Sequence, residues 1–192
     1  MDKQSVRADV KKTMERLSEA EKRRRSASVW QQLESRDIFQ KASVILMYWS
    51  MPDEVFTHEF ILRWHTRKTI LLPVIDGDCL TIGTFNGMQS LRKNARWNVY
   101  EPTEAAYPNL QAIELAVVPA VAFDKNCHRL GRGKGYYDRL LPSLTAYKAG
   151  VCFDFQLLES IPFEPHDVQV DEVIASRWQV KNQGFARNIA KP

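Results

Sequence analysis

The stretch Phe123-Asp124-Lys125-Asn126-Cys127-His128-Arg129-Leu130-Gly131-Arg132-Gly133-Lys134-Gly135-Tyr136-Tyr137-Asp138 concentrates residue types that handle anions. Glycines alternate at 131, 133 and 135, interleaved with Arg132 and Lys134, and Arg129 lies just upstream. Glycine lets the backbone approach a ligand closely and adopt positive φ. Arginine offers paired N–H donors to a phosphate, and lysine a mobile point charge. Backbone N–H groups at the head of a helix add to the pull on an anion. Together these features suit a polyphosphate; the plain alternative is a flexible basic surface loop. The segment is not a Walker A sequence, because glycine follows Lys134, and it is not G-x-G-x-x-G.

Other chemistry-bearing residues flank this one. Asp138 is placed to partner Mg²⁺, which takes one or two carboxylates with phosphate oxygens and water; as a plain helix-surface acid it would pair with Arg139 or a neighbour. Asp167 and Asp171 offer a second carboxylate or simply cap a turn. In Ser50-Met51-Pro52-Asp53-Glu54, Glu54 is the residue to send to a ligand, or else an early-turn helix acid. Trp49 and Trp97 stack on a flat heterocycle or fill the core. Lys3 and Arg7, one helical turn apart, reach a phosphate if their helix packs near the glycine segment, and otherwise form a solvated face.

The elements that must position these groups are legible in outline. Val6, Val10, Met14 and Leu17 predict a first helix, and Ser18-Glu19-Ala20-Glu21 is a capping box for a second, running to about Arg36. Residues 44–49 form an uninterrupted apolar run, the mark of a strand buried on both faces. A helix over 57–66, a strand over 69–75, the turn Asp76-Gly77-Asp78 and a hairpin partner over 79–85 follow. Residues 86–112 read as mostly loop, 115–118 as a short strand, and 120–132 as a long loop. A helix from within 133–137 to about 141, a strand over 147–153 and a last one over 172–175 complete the chain. Helices alternating with buried strands predict an α/β fold: a three-layer sandwich with a mostly parallel central sheet, Rossmann-like. The glycine segment follows a strand, where such sheets place ligands.

With 192 residues, 44% hydrophobic and 26% charged, the chain has the composition of one globular domain, 1–192, and not of a disordered one. No apolar run approaches the roughly 20 residues of a membrane span, and the N-terminus has no apolar signal core. Three cysteines far apart, Cys79, Cys127 and Cys152, argue against a disulfide framework and fit a reducing cytoplasm. The four histidines show no close ligand pairing. The net charge of +4 suits an anionic small molecule or weak nucleic-acid contact.

At Phe123-Asp124-Lys125 and from Arg129 to Asp138 the chain closely resembles the signature of the 5-formyltetrahydrofolate cyclo-ligase (methenyltetrahydrofolate synthetase) family. Weaker likenesses follow in order at Lys3-Gln4-Ser5-Val6-Arg7, at Ser50-Met51-Pro52-Asp53-Glu54-Val55, and from His166-Asp167 to Asp171-Glu172-Val173, so that nearly the whole chain is covered. One departure is Cys127, where many members have glycine; a positive φ there would strain a cysteine.

The resemblance implies a ligase that uses ATP and Mg²⁺ to turn 5-formyltetrahydrofolate into 5,10-methenyltetrahydrofolate, through phosphorylation of the formyl oxygen and attack by N10. It implies ATP binding by Lys3, Arg7 and the run Arg129, Leu130, Gly131, Arg132, Gly133, Lys134, Gly135, Tyr136 and Tyr137. Lys134 and Arg132 would stabilise the transferring charge, and Asp138, with Asp167, would hold Mg²⁺. Trp49, Met51, Glu54 and Trp97, with Arg132, Gly133, Lys134, Gly135 and Tyr136, would bind the reduced folate, whether or not it is polyglutamylated. The protein would act as a cytoplasmic monomer without nucleic-acid or membrane partners. Two rivals use the same residues. One is a basic nucleic-acid module built on Lys22-Arg23-Arg24-Arg25, Arg92, Lys93 and the glycine segment; the other is an ATP-dependent ligase or kinase for another heterocycle.

Overall fold

The computed structural model describes residues 2–96, 98–104, 107–164, 167–177 and 179–182. Three helices open the chain: α1 (Lys3–Met14), α2 (Glu19–Glu34) and α3 (Asp37–Lys41). Then come β1 (Val44–Leu46), α4 (His58–Trp64), β2 (Thr69–Asp76), β3 (Cys79–Thr84), β4 (Leu91–Asn94) and β5 (Val99–Pro102). The second half holds β6 (Leu115–Pro119), β7 (Ala122–Asp124), β8 (Arg129–Leu130), α5 (Tyr136–Leu140), β9 (Tyr147–Cys152), β10 (Leu157–Leu158), β11 (Glu172–Ala175) and β12 (Gln179–Lys181). Both long helices start on side-chain caps. The Asp2 carboxylate accepts from the N–H groups of Gln4 and Ser5, and the Ser18 hydroxyl from that of Glu21. The predicted capping box is half realised, since Arg24 and Arg25 take the Glu21 carboxylate.

The main sheet has seven strands in the order β12-β11-β9-β6-β1-β2-β3. Its five central strands run parallel, and β3 and β12 close the two edges antiparallel. The chain passes from β1 to β2 on one side, then to β6, β9 and β11 on the other. Strand order therefore reverses between β1 and β6, and ligands bind outside the carboxyl ends of strands at such a point. The central strands bury both faces, as their apolar runs require. Ile45, Met47, Ile70, Leu72, Leu115 and Val117 face α2, α3 and α4 with Phe39 and Phe60. Leu46, Leu71, Ala116, Val118 and Cys152 face Phe123, Leu140 and Leu141.

The result is three layers around a mostly parallel sheet, as the sequence predicts. One outer layer departs from the Rossmann-like pattern, because β10, β7 and β8 form a small sheet there beside the five-residue α5. α1 packs Val6 and Val10 against Ala122 and Leu130 of this small sheet. The expected loop over 120–132 thus contains β7 and β8, and the expected loop over 86–112 contains the β4–β5 hairpin. β12 was also unforeseen. These strands are two to four residues long, too short to show a period, and pairing across the fold stabilises them. Cys127 does adopt positive φ (62°), fully buried in the turn between β7 and β8.

Candidate active site

A cavity of about 330 Å³ opens at the switch point. The chain beyond β1 supplies Tyr48, Trp49, Met51 and Glu54, and the end of β6 supplies Pro119 and Ala120. β2 and β3 add Pro73, Ile75 and Leu80, β5 adds Tyr100 beside Val99, and the glycine segment forms the remaining wall from Arg129 to Asp138. A wider groove of about 740 Å³ over α2 and α4 shares Trp49, Met51, Val99 and Tyr100 with it. The cavity has an apolar floor with charged groups at its edge, the usual composition of a small-molecule site.

Arg129 anchors the glycine segment from below. Its guanidinium is buried, donates to the Pro119 carbonyl (3.0 Å) and to Asp138 Oδ1 (3.0 Å), and lies over the Tyr137 ring. Burial lowers its pKa, and Asp138 opposes that pull, as does Asp167 more weakly. Asp138 therefore pairs with a basic neighbour as its plain reading has it, though with Arg129 and not Arg139. Its second oxygen makes no hydrogen bond among the described residues. Gly133 (φ 94°) and Gly135 (φ 66°) then turn the chain in conformations that a side chain would strain. The N–H groups of Arg132, Gly133 and Gly135 donate to no acceptor among the described residues. α5 is too short for its dipole to contribute much, so the attraction for an anion comes from these donors with Arg132 and Lys134.

The other residues fall around this frame. Arg7 donates from Nε to the Gly131 carbonyl (2.9 Å), which ties α1 to the segment. Lys3 bonds Glu164 (2.6 Å) and Asp167 (2.7 Å), and Asp167 also accepts from the Glu164 N–H. Asp171 accepts from the Lys148 N–H, so it serves the backbone at the start of β9. The Leu130 side chain points into the α1 cluster and not the cavity. Tyr136 bonds the Gly77 carbonyl (3.2 Å) and Arg139 that of Asp78, fixing α5 to the β2–β3 turn. Tyr137 lies in the cavity wall; burial and the nearby Glu54 raise its pKa.

On the facing wall, Glu54 is buried (8% exposed) and accepts from the Met51 N–H (2.9 Å) and from Arg132 Nη2 (3.2 Å). Burial raises its pKa, and Arg132 works against that rise. Asp53 takes both Nη atoms of Arg132, at 3.0 and 2.7 Å. Burial raises the Asp53 carboxyl as well, but Arg132 prevails and holds it low. Trp49 stacks on His58 (4.1 Å) and packs on Phe85, so it is at once core and cavity wall. Trp97 and His166 lie outside the described residues.

Two residues of the site, the wall residue Tyr100 and Asp53 at its edge, carry no role in the sequence reading. Asp53 stood in a quoted motif, but its partner lies 79 residues away; Tyr100 sits on a strand that no periodicity announced. The run Lys22-Arg23-Arg24-Arg25, the main support for a nucleic-acid module, is largely paired within the protein. Arg23 meets Glu19 and Glu59, and Arg24 and Arg25 meet Glu21. No helix among the described residues is long and apolar enough to cross a membrane.

Comparison with known proteins agrees with this geometry. A sequence model described as the 5-formyltetrahydrofolate cyclo-ligase family matches residues 1–176. The mouse 5-formyltetrahydrofolate cyclo-ligase is 30% identical over 189 residues, covering 90% of this chain and 92% of its own. The Aquifex aeolicus 5,10-methenyltetrahydrofolate synthetase, solved by NMR, superposes with a TM-score of 0.86 at 31% identity, over 96% of this chain and 95% of that one. The Mycoplasma pneumoniae 5,10-methenyltetrahydrofolate synthetase gives 0.69 at 26% identity, over 91% and 98%. With its motifs in order, its sheet matched and its glycine segment closing the crevice at the switch point, the chain belongs to the 5-formyltetrahydrofolate cyclo-ligase family of enzymes.

Proposed function

We propose that this protein converts 5-formyltetrahydrofolate to 5,10-methenyltetrahydrofolate, with ATP becoming ADP and phosphate. The observation that carries the reading is the facing of two unlike walls across one cavity. The glycine segment presents Lys134 and three backbone N–H groups that have no acceptor among the described residues, which suit a triphosphate. The opposite wall presents Trp49, Met51 and Glu54, which suit a flat heterocycle with N–H donors. Family membership supports both halves.

The chemistry explains the need for two substrates. Closing the ring onto N10 requires the formyl oxygen to leave, and hydroxide is a poor leaving group. Transfer of the γ-phosphoryl group to that oxygen makes a good one. N10 then bonds to the formyl carbon, phosphate departs with the oxygen, and N10 loses its proton. Such a step asks for positioning and charge stabilisation more than for a nucleophilic side chain. Lys134 and Arg132 would supply positive charge to the transferring group. Lys3, Arg7 and the run from Arg129 to Tyr137 would hold or shape the nucleotide site, with Lys3, Arg7 and Leu130 acting through the segment they support. Glu54 would accept hydrogen bonds from the heterocycle, with Trp97 completing its pocket.

Mg²⁺ fits this arrangement as an ion that arrives with the nucleotide. Among the described residues no three His, Cys, Asp or Glu side chains gather as a metal cage, but Mg²⁺ on a nucleotide needs only one or two carboxylates. Asp138 would offer its second oxygen, and Asp167, beside Lys3, is the second candidate. The ion would neutralise phosphate charge. The same reading takes the chain as a single domain working as a cytoplasmic monomer, to which its free cysteines are suited.

The test is absorbance in the methenyl-folate band, with purified protein, 5-formyltetrahydrofolate and Mg²⁺, with and without ATP. The expected result is a rise only with ATP, reduced at least about 100-fold in rate in Lys134→Ala, the scale for removing one transition-state charge contact. Because Lys134 is exposed, that variant keeps the wild-type melting temperature. Folded protein that binds ATP and gives no rise with this folate would overturn the substrate assignment.

A further inference from the structure

We propose that Asp53 is a positioning residue that acts through Arg132, holding its guanidinium at the join between the two halves of the site. This rests on the reading of the two walls given above. Arg132 comes from the glycine segment and Asp53 from the loop after β1, and their ion pair spans the cavity edge. The geometry is bidentate, at 3.0 and 2.7 Å, the arrangement that fixes a guanidinium in direction as well as place. From that position Nη2 also reaches Glu54 Oε1 at 3.2 Å.

One planar group is thus shared between an outer carboxylate and an inner one. Asp53 is half-exposed, whereas Glu54 is almost fully buried among cavity residues. The outer contact does not enclose ligand; it sets where the inner contact falls. Without it, Arg132 is a long side chain on a glycine-flanked loop, with several rotamers open to it. Held, it keeps Glu54 paired on the heterocycle side and its own charge at the cavity wall that the glycine segment forms. Its loss should therefore act on folate binding and on turnover, and should leave ATP affinity nearly unchanged.

The experiment is a double-mutant cycle with Asp53→Asn, Arg132→Met and the double variant. Asp53→Glu serves as the conservative control and thermal melting as the check on folding. Asp53→Asn is expected to raise the KM for 5-formyltetrahydrofolate and lower kcat, together about tenfold in kcat/KM, the scale of a coupled neighbouring pair. It should leave the Kd for ATP within about twofold and be recovered in part by Asp53→Glu. In the Arg132→Met background the same change should have almost no effect. Additive losses, or an Asp53→Asn enzyme equal to wild type, would overturn the proposal. If the wild-type chain fails to turn over this folate, the underlying reading falls first, before any variant is compared.

Discussion

At the residue scale the site is a set of charges placed against their solvation preferences. Arg129 and Glu54 are both buried, and each is paired with a partner across a loop: Asp138 for the first, Arg132 for the second. Glu54 shows the cost of this. Its pKa in the folded chain lies above the ordinary value of 4.5, so its ionised form opposes folding. The stability tied to this group is fully present below its unfolded pKa and is lost as pH rises through the folded one. Glu54→Gln should therefore melt higher than wild type at neutral pH, and the gap should close below about pH 4.5. The same variant should lose folate binding, because an amide presents one acceptor where the carboxylate presents two. Melting curves across pH beside folate titrations test both halves, and a lower melting temperature at neutral pH would contradict the first.

At the element scale the main sheet fixes the walls and the short elements aim the side chains. The end of the Phe123 ring, from β7, packs on Gly150 of β9 because glycine leaves room: a Cβ there would stand 2.5 Å from the ring. Phe123 leads directly into the turn that carries Asp124, Cys127 and Arg129, so this contact sets the height of the glycine segment above the sheet. Gly150→Ala should destabilise the fold by about 1–3 kcal/mol, the usual cost of overpacking a filled core. Phe123→Leu in the same chain should restore part of that loss. Chemical denaturation of the single and double variants measures it, and a neutral single variant would mean that the β7 layer shifts freely. The β4–β5 hairpin is aimed in a similar way: Glu101, nearly fully buried, accepts from the Ile75 N–H and from Asn94, which brings Tyr100 to the cavity.

At the scale of the whole molecule, one cavity gathers residues from the chain after β1, from β2, β3, β5 and β6, and from the segment that runs into α5. Ligands that fill it must therefore stabilise the entire fold. Saturating MgATP and 5-formyltetrahydrofolate, each at about 100 times its Kd, should add roughly 2.7 kcal/mol apiece. For a chain of this size that is a rise of several degrees in melting temperature, and chelation of the metal should remove the ATP part. The amino-acid sequence by itself determined the parallel α/β core, the glycine-and-arginine segment, and the presence of Glu54, Asp138 and Lys3 in motifs of recognisable type. It could do so because runs buried on both faces and glycines in a fixed spacing are local signals. Only the tertiary structure decided the β4–β5 hairpin, β7 and β8, and with them Tyr100 as a wall. Only it decided that Arg129 holds Asp138 and that Asp53 holds Arg132. Those strands are too short to carry a period. Arg129 and Asp138 lie close in sequence but meet only because the glycine segment turns back on itself, and Asp53 and Arg132 are joined by the sheet's reversal between β1 and β6, a contact that no spacing along the chain encodes.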